Sequence, residues 1–403
     1  MKKIEKKNTV LLILSNSITK SGDLMFDFAN KSFLASLNLN SLYLVGIYQF
    51  LESIIGAIFN LFGGVIADRF KRKKIIILTD ILSGIVCILL SFIVASKILL
   101  YGIITTNVLL AIFSSFSSPA YKALTREIVE NDTISQTNSY VQTASTIIKV
   151  TVPILAIGVY NIIGINGSLL LNGLSFICSA MITLIITPIL DEMEENSKIS
   201  VSNIFSDLKF GFEYIYQEHQ IFLLLIFVSL VNFCLAGYNL LIPYGNIMFP
   251  LISGNVYAAF LVAEAVGGVV GAILCSKLSK ELSVLKLINY AGLSGISLVV
   301  IPVLYIIFPN LILVSLGPFI FSILSTIFNV QFFSFIQRNV DNQYLGRVFG
   351  IIFAVAIFFT PIGTGVFSLI LVPRFLYNLS IIGFGILLLS VLTILLVFRN
   401  KDQ

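Results

Sequence analysis

The sequence predicts an all-α integral membrane protein of twelve transmembrane helices in two six-helix halves, with both termini in the cytoplasm. Three observations predict it. Of 403 residues, 57% are hydrophobic and only 11% charged, whereas a soluble domain carries about 25% charged residues. A water-soluble fold of this composition would expose apolar patches and aggregate. Apolar stretches of roughly 20 residues or more, the length that crosses ~30 Å of hydrocarbon, recur along the whole chain, and the mean hydropathy is +1.01. Finally, the basic residues collect on alternate loops. The hydrophobicity is continuous rather than alternating, which excludes a β-barrel.

In the first half the spans fall at 9–36, 41–67, 74–96, 98–120, 136–162 and 166–189, separated by short breaks rich in charge, Gly, Pro or Asn. The first follows a basic segment, Met1 to Lys7, as a signal peptide would. It is too long for a signal peptide's apolar region and no small-residue cleavage site follows it, so it is expected to stay as the first helix. The longest polar stretch, Asp191 to Gln220, carries Asp191, Glu192, Glu194 and Glu195 near the middle of the chain. Within it Ile204, Phe205, Leu208, Phe212 and Ile215 recur at helical spacing, the pattern of an amphipathic helix on the membrane surface. The second set of spans is 219–245, 253–277, 284–307, 310–334, 346–371 and 375–398. The predicted organisation is a six-helix bundle over 1–190, a linker over 191–218 and a second bundle over 219–403.

Orientation follows from charge. All 25 Lys and Arg residues except Lys20, Lys31, Lys97, Lys149 and Arg374 fall on the side of the N-terminus, and the positive-inside rule makes that side cytoplasmic. The net charge of +5 thus reflects topology in an inner or plasma membrane and calls for no nucleic-acid partner. Cys87, Cys178, Cys234 and Cys275 stand singly in apolar segments, without metal or disulfide spacing, and read as packed thiols. No metal and no cofactor is expected, and nothing in the sequence asks for more than a monomer.

The halves are weakly related. Superposing Asp68-Arg69 on Ser276-Lys277 shifts the chain by 208 residues and brings Gly63 onto Gly271. Parallel repeats of this kind place a substrate site near the midplane.

After the second span comes Gly64-Val65-Ile66-Ala67-Asp68-Arg69-Phe70-Lys71-Arg72-Lys73-Lys74, which resembles the G-x-x-x-D-R-x-x-R-[RK] loop of the major facilitator superfamily. Gly64 lets a helix approach closely, Asp68 can cap or pair, and Arg69, Arg72 and Lys73 hold the loop at an anionic leaflet. The resemblance implies that the loop latches the outward-facing state through Asp68 and Arg72; Lys71 and Lys74 read as topology anchors. Tyr344-Leu345-Gly346-Arg347-Val348-Phe349, Ser21-Gly22-Asp23, Pro361-Ile362-Gly363 and Ser118-Pro119-Ala120 look like the macrolide-efflux and drug-exporter branch. Two departures stand out. Val108 to Ser118 has no charge where many proton-coupled members carry an arginine in the fourth span, and the antiporter motif of the fifth span survives only as Val152-Pro153 with Gly158.

Ionisable groups at bilayer depth cost several kcal/mol on insertion scales and are functional candidates by default. Lys20, Asp23, Asp27 and Lys31 lie within an arc of about 80° on one helix face, from ~16 Å to beyond ~27 Å along the first span. Two readings of this stripe stay open: a self-neutralised network in which Lys20 and Lys31 compensate both acids, or a cavity-facing site that exchanges protons or cationic substrate. Glu52, Lys149 and Glu264 are further midplane charges. Lys149 is expected to pair with Asp23, Asp27 or Glu52, and Glu264 is a second candidate proton carrier. Asp80 is expected to pair with the basic loop. Softer cavity candidates are Asn107, Ser114, Ser115, Asn232, Tyr238, Asn239, Tyr244, Asn329 and Gln331, each as ready to bridge helices as to touch substrate.

The leading expectation is proton-coupled export of a hydrophobic or amphiphilic compound, a macrolide-like antibiotic for instance, by alternating access. A transporter of a polar metabolite or siderophore is the alternative, as is a non-transporting receptor of the same fold. The single histidine, His219, and the absence of a P-loop motif argue against an enzyme.

Overall fold

The computed structural model describes residues 2–37, 42–189, 212–277, 283–340 and 342–399, and these are helical with short connections and no strand. The helices are α1 (Lys3–Leu37), α2 (Leu42–Arg69), α3 (Arg72–Ser91), α4 (Ser96–Ile128) and α5 (Ile134–Ile185), followed by α6 (His219–Leu241), α7 (Val256–Lys277), α8 (Val284–Ile307), α9 (Leu311–Asn339), α10 (Asn342–Ile370) and α11 (Asn378–Arg399). Nine helices among the described residues are long and apolar enough to cross a membrane. The charged α1 is not one of them, and α10 contributes a shorter apolar stretch, Phe358–Ile370. Inside α5 the backbone leaves the helix at Gly164, with φ 64° and ψ −166°, a conformation that needs a residue without a Cβ. That break falls between the fifth and sixth spans read from the sequence.

Most of the linker read from the sequence lies outside the described residues. Its end, 212–217, is helical, with Ile215 fully buried and Phe212 exposed.

The chain divides into two compact units. Met1–Asn38 with Leu51–Lys198 make the first, and Leu39–Phe50 with Ile199–Gln403 the second. The division does not follow chain order alone, because the first turns of α2 group with the second unit. There Gly46 abuts Ser368 of α10, and the Gln49 side chain donates to the Asn239 carbonyl of α6 at 3.3 Å.

In the first unit α5 packs along α1 and α3, and α3 along α4. In the second, α7 packs on α9, α8 on α11 and α9, and α10 on α6. The two units repeat the same close contacts. A Cβ at Gly63 on α2 would lie 1.9 Å from the Ser115 carbonyl oxygen on α4, and one at Gly271 on α7 would lie 2.7 Å from that of Ile323 on α9. Both residues of the second pair follow those of the first by 208 positions, the shift already read from Gly63 and Gly271. Likewise Gly84 and Gly173 meet backbone to backbone where α3 crosses α5, and Gly295 and Gly383 do so where α8 crosses α11. Small residues at such crossings let helices gain van der Waals contact where lipid supplies no hydrophobic drive between them.

Each unit also has a dense apolar core. Leu12, Ile76, Leu124 and Ile128 are buried together in the first. Leu224, Phe227, Phe328 and Phe332 are buried in the second, the last two stacked with ring centres 5.8 Å apart. The outer faces are apolar too: Phe384, Leu388, Leu392 and Leu395 stand along α11 with about half their surface exposed. Only a bilayer is a fitting solvent for such a face.

Candidate functional site

The first unit brings four acids onto three helices. Asp23 and Asp27 lie one turn apart on α1, Glu52 on α2 and Asp80 on α3. The stripe on α1 is partly neutralised. Lys31 donates to Asp27 Oδ2 at 2.7 Å as an i,i+4 pair, while Asp27 Oδ1 is buried without a hydrogen-bond partner among the described residues. Lys20 does not close the self-neutralised network, one of the two readings of the stripe: its ammonium donates to Ser145 Oγ on α5 at 2.8 Å. Asp23 is therefore left without an ion pair among the described residues. Glu52 is hydrogen-bonded by the buried Asn107 of α4.

Two expectations are corrected. Asp80 does not pair with the basic loop. It is buried, and its Oδ2 accepts from Ser179 Oγ at 2.7 Å and Tyr121 Oη at 3.3 Å. Around those donors Ser15 Oγ lies 2.8 Å from Tyr121 Oη, 2.8 Å from Ser179 Oγ and 2.7 Å from Thr183 Oγ1, closing a ring of hydroxyls. The reason is distance, since Asp80 is eight residues into α3, ~12 Å from Arg72. Lys149 does not meet a carboxylate either; it is exposed on α5 and forms no ion pair among the described residues. Asp27 is already held by Lys31 and Glu52 by Asn107.

Two cations of the loop between α2 and α3 make structural contacts. Arg72 Nη1 pairs with Glu127 Oε1 at the end of α4 at 2.9 Å. Lys73 Nζ donates to the carbonyls of Leu184 and Ile186, each at 2.8 Å, and so caps the end of α5. The side chains of Gly64, Asp68 and Arg69 lie outside the described detail. Lys71 and Lys74 stand exposed and, with Thr79, line a cavity of about 580 Å³ whose other walls are apolar side chains such as Leu78, Phe113 and Phe116.

In the second unit the buried Tyr238 of α6 donates its hydroxyl to Glu264 Oε1 of α7 at 2.5 Å, and Ser322 of α9 donates to the Glu264 carbonyl at 2.6 Å. The other soft candidates divide. Gln331 is buried and donates to Cys275 Sγ at 3.3 Å, a bridge between α9 and α7. Asn232 and Ser114 bond to carbonyls of their own helices. Asn239 and Asn329 are exposed.

Sequence reasoning missed Glu127, Ser145 and the Ser15–Tyr121–Ser179 ring. Glu127 carried a signal, an acid at the end of the span facing a basic loop. The hydroxyls carried none, being single polar residues among many.

Helices without strands among the described residues, apolar outer faces and acids at bilayer depth are the marks of an integral membrane protein. The sequence profile of the Major Facilitator Superfamily matches residues 12–364, and the chain belongs to that family. Among curated proteins it is 24% identical to macrolide efflux protein A of Enterococcus faecalis over 318 residues, covering 74% of this chain and 92% of that one. It is also 24% identical to macrolide efflux protein A of Streptococcus pyogenes over 318 residues, covering 74% of each. Among solved structures it resembles the nucleoside transporter NupG, with a TM-score of 0.74 at 12% identity over 97% of this chain and 99% of that one. A bacterial homologue of the iron transporter ferroportin in an inward-facing state gives 0.73 at 16% identity over 98% and 99%. A D-xylose–proton symporter gives 0.73 at 13% identity over 97% of each chain. These likenesses speak for the fold.

Proposed function

We propose that this protein exports hydrophobic or amphiphilic compounds, of which a macrolide-like antibiotic is the type, across the cell membrane in exchange for protons. In this reading two six-helix bundles, 1–190 and 219–403, joined by a cytoplasmic linker, alternate access as a monomer of twelve spans with both ends in the cytoplasm. The observation that carries it is Asp23, a half-buried acid at bilayer depth on α1 that forms no ion pair among the described residues. An ionisable group held at that depth without an ion pair is a functional candidate by default. Asp27 and Glu52 extend the site, and Glu264, held by Tyr238, gives the second unit a carrier of its own. The loop Gly64–Lys74, with Asp68, Arg69, Arg72 and Lys73, serves as the latch of the outward-facing state. The macrolide efflux relatives support the substrate class.

The test is energised efflux of a panel of hydrophobic drugs from cells expressing the chain, with and without a protonophore. Protonophore-sensitive efflux that is lost in Asp23→Asn and in Glu264→Gln is the expected result. Full efflux in Asp23→Asn and Asp27→Asn alike would remove the helix α1 site from the mechanism.

A further inference from the structure

We infer that the cavity between α2, α3 and α4 is a lipid site, in which an anionic phospholipid sets its phosphate between Lys71 and Lys74 and lays an acyl chain along the apolar wall. The site is separate from the acids of the export reading and needs none of them.

The four consecutive cations at the start of α3 divide in two. Arg72 is paired with Glu127 at 2.9 Å, and Lys73 donates to the carbonyls of Leu184 and Ile186 at 2.8 Å each. Lys71 and Lys74 are exposed and form no ion pair among the described residues. Those two, and not the other pair, line the cavity of about 580 Å³. The Lys74 amide donates to the Lys71 carbonyl at 2.8 Å, which holds both residues on one turn. The third polar residue of the wall, Thr79, gives its hydroxyl to the Ile75 and Ile76 carbonyls of its own helix, at 2.8 and 3.0 Å. Among the described residues, the two ammonium groups are thus the polar donors that the cavity offers.

The wall has the length of one leaflet. Lys71, Lys74, Leu78 and Leu82 all line the cavity, and steps of three, four and four residues keep them on one face of α3. At ~1.5 Å per residue Leu82 lies ~16 Å beyond Lys71, about half of the ~30 Å hydrocarbon core. Phe113 and Phe116 of α4 form the other side. Leu78 is 60% exposed, so the unit itself leaves this wall uncovered.

An ammonium group at the membrane surface attracts an anionic headgroup, and a phosphate between two of them accepts charge-assisted hydrogen bonds from both. A cationic amphiphile is repelled by the same two charges, and a soluble anion leaves the apolar wall bare. A phospholipid of net negative charge satisfies both parts of the site.

Full-length protein purified in detergent, titrated with phosphatidylglycerol and with phosphatidylcholine of the same chains, and read by native mass spectrometry for retained lipid, tests this. The wild type is expected to retain phosphatidylglycerol in preference. Lys71→Gln and Lys74→Gln are each expected to weaken that binding about fivefold, and Lys74→Arg to keep it. Leu78→Trp fills the groove from an exposed position and is expected to weaken phosphatidylglycerol binding with both lysines in place. Lys286 is exposed in the second unit, and Lys286→Gln is expected to change nothing. Equal retention of the two lipids by the wild type, or the same loss in Lys286→Gln as in Lys74→Gln, amounts to general surface attraction and overturns the site. Binding unchanged in Leu78→Trp puts the acyl chain outside the cavity and overturns it too. Drug efflux is no part of the readout, so the lipid site and the export reading stand or fall separately.

Discussion

Alanine in place of glycine at three positions should have effects that differ in sign, set by how much room each site has. At Gly63 an added Cβ would stand 1.9 Å from a backbone oxygen, and ordinary contact begins at 3.4 Å, so α2 and α4 must part by about 1.5 Å locally. The obstacle is the Ser115 carbonyl, which cannot rotate aside as a side chain would. Overpacking of this kind typically costs about 1–3 kcal/mol, a fall in Tm of roughly 2–12 °C for a unit of about 200 residues. At Gly271 the obstacle is again a carbonyl, at 2.7 Å, and the same change should cost less. At Gly158 nothing lies within 4 Å, so alanine's helix propensity should stabilise by up to about 1 kcal/mol. Thermal unfolding of the purified protein in one detergent, followed by loss of the monodisperse peak, gives the three midpoints. The expected order is Gly158→Ala highest, then Gly271→Ala, then Gly63→Ala. If Gly63→Ala melts as high as Gly158→Ala, the helices are not in backbone contact there and the packing argument fails.

Other consequences are open to measurement. Ser179→Ala removes the nearer donor from Asp80 and should lower stability by about 0.6–1.7 kcal/mol, the range for hydrogen bonds between membrane helices. Tyr121→Phe, at 3.3 Å, should cost less, and the reverse order would dismiss the hydroxyl ring as the support of Asp80. At the N-terminus the backbone N–H groups of Glu130 and Lys2 donate to Glu5 at 2.8 and 2.5 Å and hold its carboxyl below its ordinary 4.5. A depressed acid contributes stability above its ordinary value and loses it as pH falls through the folded value. Wild type should therefore loosen at this end below about pH 4.5, seen as faster hydrogen exchange over 128–133, while Glu5→Gln should show no such step. Arg72→Gln and Glu127→Gln should be non-additive in a double-mutant cycle of transport rate, and additivity would deny their pairing a part in the cycle.

Some of this was legible in the chain because it is local or periodic. The Asp27–Lys31 pair follows from i,i+4 spacing on a helix, and the shift of 208 residues was visible in Gly63 and Gly271 before their partners were known. Apolar runs fix where helices form, since the backbone inside a membrane must satisfy its own hydrogen bonds. The partners of Asp80 were not legible. Ser15, Tyr121 and Ser179 come from α1, α4 and α5, and no local rule selects one serine among many. The expected pairing of Lys149 failed for a related reason. Charge complementarity names plausible partners, but rotation of each helix about its axis decides which side chains meet.

The recurring glycine contacts ask little of the sequence around them. A crossing held by one glycine against a carbonyl is specified by a single missing side chain, and almost any apolar residue serves around it. Structures that share 97% or more of their length with this chain at TM-scores of 0.73 and 0.74 retain only 12–16% identity. The fold outlasts most of the letters.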